Sequence, residues 1–201
     1  EPILCIHPSS AVSGTVRSAL TAALEFPGAD IRVLDTRLVA APLATLVQIA
    51  VQRAAAGASA DAIETELRAM IPRGRLYFLV ATLEYLAKGG RIGGAQALLG
   101  SVLQIKPILT MRDGRVEVLE RERTRKRAHA RLKELVHEQF PRAGDGQLCV
   151  MHADVPDQAL ALANELAAEL KVPPPPLFDV PPAIVTHGGP GVLGVSFFVQ
   201  A

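Results

Sequence analysis

Short apolar runs alternate with amphipathic segments along the first half of the chain, and this alternation predicts strands separated by helices. The apolar runs are typical of buried strands, and the segments between them carry apolar residues at helical spacing. The predicted strands are residues 3–6, 31–34 and 76–80, and the predicted helices are residues 14–24, 43–56 and 61–71. This order favours a parallel sheet covered by helices, with ligands bound beyond the carboxyl ends of the strands.

The pattern changes after the glycine-rich residues 88–94 ("KGGRIGG"), which predict a domain boundary. Further strands are predicted at residues 107–111, 115–119, 147–151, 183–185 and 195–199, and helices at 125–137 and 157–170. Asp113 and Gly114 predict a hairpin turn between the first two of these strands. The predicted fold class is α/β with two domains. Residues 1–100 form an N-terminal parallel-sheet α/β domain, and residues 101–201 form a C-terminal α+β domain with a mixed or antiparallel sheet.

Residues 171–182 ("KVPPPPLFDVPP") contain six prolines, which exclude helix and favour extended backbone. We interpret this segment as a stiff connector that leads into an edge strand. A recognition motif for a proline-binding partner is the less favoured alternative.

Composition indicates a folded chain with little net charge. Hydrophobic residues make up 49% of the 201 residues, charged residues make up 20%, and the net charge is +1. These values are typical of a globular protein and predict no general attraction to nucleic acid or acidic membranes. The longest apolar region, residues 38–51, is interrupted by Pro42 and by polar residues, so no membrane span is expected. Cys5 and Cys149 lie in apolar runs without metal-ligand spacing, which predicts buried thiols, no metal site and a cytoplasmic location.

A serine-rich loop, residues 7–15 ("HPSSAVSGT"), lies between the first predicted strand and the first predicted helix. Hydroxyl groups and the unpaired N–H groups of a helix N-terminus together favour a bound carboxylate or phosphate. The alternative is ordinary capping, with Ser13 as the N-cap and with Ser9 and Ser10 satisfying a turn.

Two further segments carry cations. In residues 83–94 ("LEYLAKGGRIGG"), glycines end a short helix and leave Arg91 either solvated or held near an anion. Residues 120–133 ("ERERTRKRAHARLK") contain five arginines and two lysines. Glu120 and Glu122 dilute this charge and no Phe, Tyr or Trp interrupts it, so a solvated face or a docking surface for an acidic partner is favoured over nucleic-acid binding.

His187 lies near the carboxyl end, in residues 185–194 ("VTHGGPGVLG"), directly after a predicted apolar strand. Gly188, Gly189 and Gly191 allow another group to approach the backbone closely. Local chemistry favours a tight turn with a structural histidine, and a catalytic base or an anion-binding loop are the alternatives.

Taken together, these segments resemble the DegV family of bacterial fatty-acid-binding proteins over essentially the whole chain. The family pattern Ser-Ser-x-x-Ser-Gly-Thr is matched by residues 9–15, and Leu-x-Tyr-Leu-x-x-Gly-Gly-Arg-Ile is matched by residues 83–92. An Ile-Lys-Pro-Ile-Leu strand, an Asp-Gly turn, an Arg-x-Arg-Thr run and a Thr-His-x-Gly-Pro-Gly loop follow in the family order, at residues 105–109, 113–114, 121–124 and 186–191.

The resemblance implies two domains with a long acyl chain, similar to palmitate, stearate or oleate, buried in an apolar tunnel at their junction. Ser9 or Ser10 and His187 would hold its carboxylate. Arg91 and Arg123 would serve a separate fatty acid kinase, related to dihydroxyacetone kinases, that forms an acyl phosphate for phospholipid synthesis. Further candidates for partner or head-group contacts are Ser13, Gly188 and Gly189.

Family members carry a further N-terminal segment, with a strand and a threonine-bearing loop that completes the carboxylate clamp, and we interpret this sequence as truncated relative to them. The resulting hypothesis is a cytoplasmic acyl carrier that has no cofactor and no catalytic residue, binds no nucleic acid and contacts membranes only transiently. The alternative is a lipid hydrolase that uses Ser10 and His187, with Asp35 as the acid that would orient the imidazole.

Overall fold

The computed structural model describes residues 1–99, 105–142 and 145–200. The chain divides into two compact units. Unit 1 contains Glu1–Gly74 together with Asp113–Arg115, and unit 2 contains Arg75–Arg112 and Val116–Ala201. The boundary predicted at residue 100 lies outside the described residues. Residues 75–99, which the sequence assigns to the N-terminal domain, are instead part of unit 2.

Unit 1 is built on two parallel strands, β1 (Ile3–His7) and β2 (Ile31–Asp35), which pair from Ile3 with Ile31 to His7 with Asp35. Its helices are α1 (Thr15–Ala23), α2 (Ala40–Ala55) and α3 (Ala60–Met70), and a 3₁₀ turn follows at Ile71–Arg73. Helix α1 packs against both strands, while α2 and α3 pack on each other and on β1. The predicted N-terminal α/β unit with a parallel sheet is confirmed.

In unit 2, the described residues form a six-stranded mixed sheet and four α-helices. The strands are β3 (Gly74–Leu79), β4 (Lys106–Arg112), β5 (Arg115–Glu122), β6 (Cys149–His152), β7 (Leu177–Asp179) and β8 (Leu193–Phe198). The helices are α4 (Glu84–Lys88), α5 (Arg125–Gln139), α6 (Pro156–Leu170) and α7 (Pro182–Gly188), with a 3₁₀ segment at Gly93–Leu98. The sheet order is β5-β4-β3-β8-β6-β7. Strand β6 runs antiparallel to β8 and parallel to β7, so the predicted mixed sheet is confirmed.

The assignment of β3 to the N-terminal parallel sheet is wrong. This strand runs antiparallel to β4 and lies between β4 and β8 in the sheet of unit 2. Tyr77 and Leu79 contact one apolar cluster, whereas Phe78 and Val80 contact another. Because side chains alternate along a strand, β3 is apolar on both faces and fits the centre of a covered sheet. A local apolar run does not encode which sheet buries it.

The predicted strand at residues 183–185 is also wrong, because these residues form the middle of α7. Pro182 occupies the first helical turn, where its fixed φ and missing N–H are tolerated. The hydroxyl of Thr186 donates to the carbonyl oxygen of Pro182 (2.9 Å), one helical turn back. Three apolar residues in a row are too few to distinguish a strand from a short helix.

The hairpin follows the sequence prediction, whereas the proline-rich connector leads into helix α7 rather than into the expected edge strand. Asp113 (φ 51°) and Gly114 (φ 78°) both have positive φ, as a type I′ turn between β4 and β5 requires. The connector contains the three-residue strand β7, which lies at the end of the sheet order beside β6.

Two apolar clusters cover the sheet of unit 2. The larger one joins strands β3, β4, β6 and β8 to α5 and α6, and Phe197 at its centre contacts the rings of Tyr77 and Phe140 edge-on, each at a centroid distance of 5.9 Å. The smaller cluster joins α4 and the 3₁₀ segment to β4 and β5. Ile108 belongs to the first cluster and its neighbour Leu109 to the second, so the clusters lie on opposite faces of β4. Among the described residues, no helix has the length and apolar character needed to cross a bilayer.

The larger cluster predicts that two leucines of α6 contribute very differently to the free energy of unfolding. Leu166 is fully buried in it, whereas Leu160 is 51% exposed. We expect Leu166→Ala to lower the free energy of unfolding of unit 2 by about 2–5 kcal/mol, because it removes buried apolar surface and leaves a cavity. The matched substitution Leu160→Ala should change it by less than about 1 kcal/mol. Urea unfolding followed by circular dichroism measures both values, and equal losses would contradict the assigned core.

Candidate functional site

Ser9 has a structural role in unit 1. Its side chain is fully buried. Its Oγ donates to the carbonyl oxygen of Gly114 (2.7 Å) and accepts from the backbone N–H of Ala11 (3.2 Å). Its own carbonyl oxygen accepts from the backbone N–H of Ser13 (3.0 Å), which closes the loop into a turn. Because a hydroxyl has one hydrogen, Ser9 has no further donor for a ligand in this arrangement.

Ser10 is exposed and is paired with Asp35 at the carboxyl end of β2. The Ser10 hydroxyl donates to Asp35 Oδ2 (2.5 Å), and the backbone N–H groups of Ser10 (3.2 Å) and Arg37 (2.9 Å) donate to Oδ1. Partial burial acts to raise the pKa of Asp35, but the hydrogen bonds from Ser10 and Arg37 outweigh it, so the pKa lies below its ordinary value. Asp35 is therefore an anion next to the Ser10 hydroxyl at neutral pH.

Ser13 does not occupy the predicted N-cap of α1, because that position is Gly14, which lacks a side chain to cap the helix. The Oγ of Ser13 accepts instead from the backbone N–H of Thr15 (3.3 Å) and donates to its Oγ1 (3.2 Å). Thr15 opens the first turn of α1. Ser13 is thus a local partner of the helix start, displaced by one residue from the expected cap.

His187 lies in the last turn of α7, a helix end that presents carbonyl oxygens rather than N–H donors. The Nδ1 atom of its ring is buried and has no hydrogen-bond partner within the described part of the chain. The ring packs directly on Gly89, at the end of α4, where any Cβ would overlap Nδ1. At this helix end, the group that can donate a hydrogen bond to a ligand is therefore the imidazole ring of His187.

A second glycine contact mirrors the first. Gly189 follows α7 with φ 76°, and a Cβ at this position would overlap the ring of Tyr85 in α4. Its backbone N–H donates to the carbonyl oxygen of Val185 (2.7 Å), and both Gly188 and Gly189 are buried. The helices α4 and α7 thus pack on each other through two ring-on-glycine contacts, which explains why both segments need glycine.

The two candidate arginines are both exposed. Arg91 follows α4, and its Nη1 donates to the carbonyl oxygen of Gly89 (2.6 Å). Arg123 follows the last residue of β5 and precedes Thr124, whose hydroxyl caps α5 by accepting from the N–H of Arg127 (3.2 Å). Arg91 is thereby tied to the same turn that supports His187.

Part of the positive charge in residues 120–133 is paired with carboxylates of unit 2. Arg131 forms ion pairs with Glu120 (2.8 Å) and Glu138 (2.6 Å), and these hydrogen bonds raise the pKa of Arg131 and lower the pKa of Glu120. Lys133 pairs with Glu165 (2.8 Å) on α6. These pairs favour a solvated, ion-paired helix surface over a surface that neutralises phosphates.

The described residues contain no group of three or more His, Cys, Asp or Glu side chains that could hold a metal ion. Cys149 is buried, and burial raises the pKa of its thiol, against the opposing effect of its hydrogen bond with Ser196. Cys5 is only partly buried, which is less than the sequence predicted.

The structure gathers the candidate residues into two groups. Ser9, Ser10 and Ser13 lie in unit 1. The candidates in unit 2 are Arg91, Arg123, His187, Gly188 and Gly189. Two partnerships were missed by sequence reasoning, those of Ser10 with Asp35 and of His187 with Gly89. The first had a detectable signal, because Asp35 and the serines both follow parallel strands whose carboxyl ends meet at one edge.

Comparison with known proteins gives a family match over nearly the entire chain. Residues 1–200 match the profile described as "Uncharacterised protein, DegV family". A DegV domain-containing protein of Streptomyces coelicolor is 40% identical over 97% of this chain and 69% of its own length. A DegV domain-containing protein of Deinococcus radiodurans is 35% identical over 98% of this chain and 69% of its own length.

Solved structures show the same architecture. A DegV family protein of Thermus thermophilus, described as fatty-acid-binding, superposes with a TM-score of 0.88 at 35% identity, over 99% of this chain and 71% of that one. DegV of Bacillus subtilis, described as a fatty acid binding protein, gives a TM-score of 0.86 at 31% identity, over 100% of this chain and 71% of that one.

The contact between Gly89 and His187 makes a direct prediction. Gly89→Ala should displace the His187 ring, because a methyl group cannot share the space of Nδ1. We expect changed imidazole signals for His187 in long-range ¹H–¹⁵N NMR spectra and a loss of about 1–3 kcal/mol in the free energy of unfolding. Gly28→Ala is the control, because nothing lies within 4 Å of its Cβ position. Unchanged His187 signals in Gly89→Ala would contradict the contact.

Proposed function

Because the chain belongs to the DegV family, we propose that it binds one long-chain fatty acid and acts as a carrier rather than as a catalyst. The observation that carries this proposal is the likeness to the Thermus thermophilus protein, which is described as fatty-acid-binding and shares the fold over 99% of this chain. The Bacillus subtilis protein supports it with the same described ligand. Palmitate, stearate and oleate are the ligands to test.

The smaller apolar cluster of unit 2 is the best candidate to receive the acyl chain. Five of its residues are buried, but six hydrophobic residues packed against them are only partly buried. The latter are Phe78, Val80, Leu83, Ala87, Met111 and Val118. An acyl chain lying against such side chains gains about 0.8 kcal/mol for each methylene group removed from water. Met111 adds a flexible side chain that adapts to different chain shapes.

We assign the carboxylate of the ligand to Ser10 and His187. A hydroxyl and an imidazole N–H are both suitable donors to a carboxylate, and such charge-assisted hydrogen bonds are stronger than neutral ones. Ser10 is preferred over Ser9, because Ser10 is exposed whereas the Ser9 hydroxyl is buried and donates to Gly114. A single carboxylate held by both side chains would couple the energetic effects of their substitution.

In the same proposal, the bound carboxylate is presented to a separate fatty acid kinase, which forms the acyl phosphate used in phospholipid synthesis. Arg91 and Arg123 are the proposed contacts to that partner, since both are exposed cations. Ser13, Gly188 and Gly189 remain secondary candidates for the head group or partner. The N–H of Gly189 is already engaged by Val185, which favours a packing role for this glycine.

The hydrolase alternative is weakened by the partner of Ser10. A serine nucleophile requires a base that takes its proton, and here the hydroxyl donates to Asp35. The lowered pKa of Asp35 makes that carboxylate a poor base at neutral pH. The carboxylate of Asp35 already accepts hydrogen bonds from Ser10 and Arg37. It is therefore not the free acid that a hydrolase would use to orient an imidazole.

A double-mutant cycle on the delipidated protein tests the carrier proposal. Palmitate should bind the wild type with one site, and Ser10→Ala and His187→Ala should each weaken binding by about two- to tenfold. The double variant should weaken it by less than the product of the two, because both groups hold one carboxylate. Titration calorimetry measures the affinities, with Ser18→Ala and His137→Gln as exposed controls that should bind like the wild type.

Two outcomes would count against this account. Failure of the delipidated wild type to take up palmitate, stearate or oleate would defeat the carrier function. Turnover of p-nitrophenyl palmitate that disappears in Ser10→Ala would instead favour the hydrolase.

A further inference from the structure

The hydrogen bonds around Asp35 decide what the Ser10 hydroxyl can offer a ligand. Oδ1 of Asp35 is fixed by two backbone N–H groups, those of Ser10 and Arg37, so the carboxylate has one orientation. Its other oxygen, Oδ2, then faces the Ser10 hydroxyl and accepts its hydrogen at 2.5 Å. The pair lies just beyond the carboxyl ends of the parallel strands β1 and β2.

A serine hydroxyl has only one hydrogen to donate. When Asp35 holds it, Ser10 presents lone pairs to anything that approaches from solvent. An ionised fatty acid head group also presents only lone pairs, and it carries the same charge as Asp35. An ionised head group therefore finds no hydrogen-bond donor at the Ser10 hydroxyl and is repelled by the charge of Asp35.

Ser9 does not relieve this mismatch. Its hydroxyl is fully buried and donates to the carbonyl oxygen of Gly114 (2.7 Å). Ser10 is therefore the serine of this pair whose hydrogen can be redirected, and redirecting it requires breaking its bond to Asp35.

We propose that Asp35 is a specificity-determining residue that competes with the ligand's carboxylate for the Ser10 hydrogen and thereby weakens the grip on an ionised head group. The inference rests on the proposed fatty-acid function. The acyl chain then supplies most of the affinity, while the carboxylate is held loosely enough to react in a partner's active site. A neutral head group with its own hydrogen, such as that of a primary alcohol, does not meet this competition.

Asp35→Asn is the decisive variant, because the geometry dictates how the amide will sit. The two backbone N–H groups that bind Oδ1 select the amide oxygen for that position. The amide NH₂ then takes the place of Oδ2 and donates to Ser10, which frees the Ser10 hydrogen for the ligand.

The experiment compares delipidated wild type, Asp35→Asn, Ser10→Ala and the double variant in binding palmitate and 1-hexadecanol, which share the same chain length. We expect Asp35→Asn to bind palmitate about three- to tenfold more tightly, as the net contribution of one additional hydrogen bond allows, and to bind hexadecanol within about twofold of the wild type. The gain should vanish when Ser10 is alanine, so Ser10→Ala should cost more in the Asp35→Asn background than in the wild type. Asp154→Asn is the control for removing an exposed negative charge elsewhere, and it should leave both affinities unchanged.

Three results would overturn the proposal while leaving fatty-acid binding intact. These are no gain for palmitate in Asp35→Asn, an equal gain for palmitate and hexadecanol, or a gain that persists in the absence of Ser10. If Asp35→Asn unfolds, Asp35→Ser removes the charge while keeping an oxygen that accepts from the backbone, and the same expectations apply. A wild type that binds neither ligand would overturn the fatty-acid function itself, together with this inference.

Discussion

The close approach of α4 and α7 is possible only because positions 89 and 189 carry hydrogen atoms instead of side chains. The His187 ring occupies the space that a Cβ of Gly89 would fill, and the Tyr85 ring occupies the equivalent space at Gly189. Two short helices, of five and seven residues, are thereby fixed against each other. The position of His187, and of Arg91 through its bond to the Gly89 carbonyl, depends on this contact.

The two parts of a fatty acid require different surroundings. The apolar chain requires surface that gains from leaving water, and the smaller cluster of unit 2 offers partly exposed hydrophobic side chains. The head group requires donors, and several of the candidate donors already have other partners. Ser9 donates to Gly114, Ser10 donates to Asp35, and Gly189 donates to Val185. A site of the proposed kind would suit a carrier, because the acyl chain would supply most of the binding energy and leave the carboxylate accessible.

Much of the fold follows from local sequence signals. The elements of unit 1, the turn at Asp113 and Gly114, and helices α5 and α6 have clear periodicity or turn residues, and they appear where predicted. The partner of β3 and the helical form of residues 183–185 were not predictable in the same way. Both depend on residues that are distant in the sequence. An apolar run indicates that a segment is buried, but it does not indicate which strand or helix packs against it.

In the candidate site, too, some features were predictable from the sequence and others were not. Serine and histidine were identifiable as candidates from residue type and resemblance, but their hydrogen-bond partners were not. Which acceptor a hydroxyl donates to is set by distances of a few tenths of an ångström, as at Ser10 and Asp35. Similarly, the glycines after α4 look like an ordinary helix end until the ring of His187 is placed against them.

Native mass spectrometry of the chain purified from bacterial cells tests directly whether it carries a fatty acid. We expect a species heavier than the polypeptide by the mass of one long-chain fatty acid. This added mass should be lost on delipidation and should return when palmitate is added. The proposal would be contradicted if only the mass of the polypeptide were found, both after purification and after incubation with palmitate, stearate and oleate.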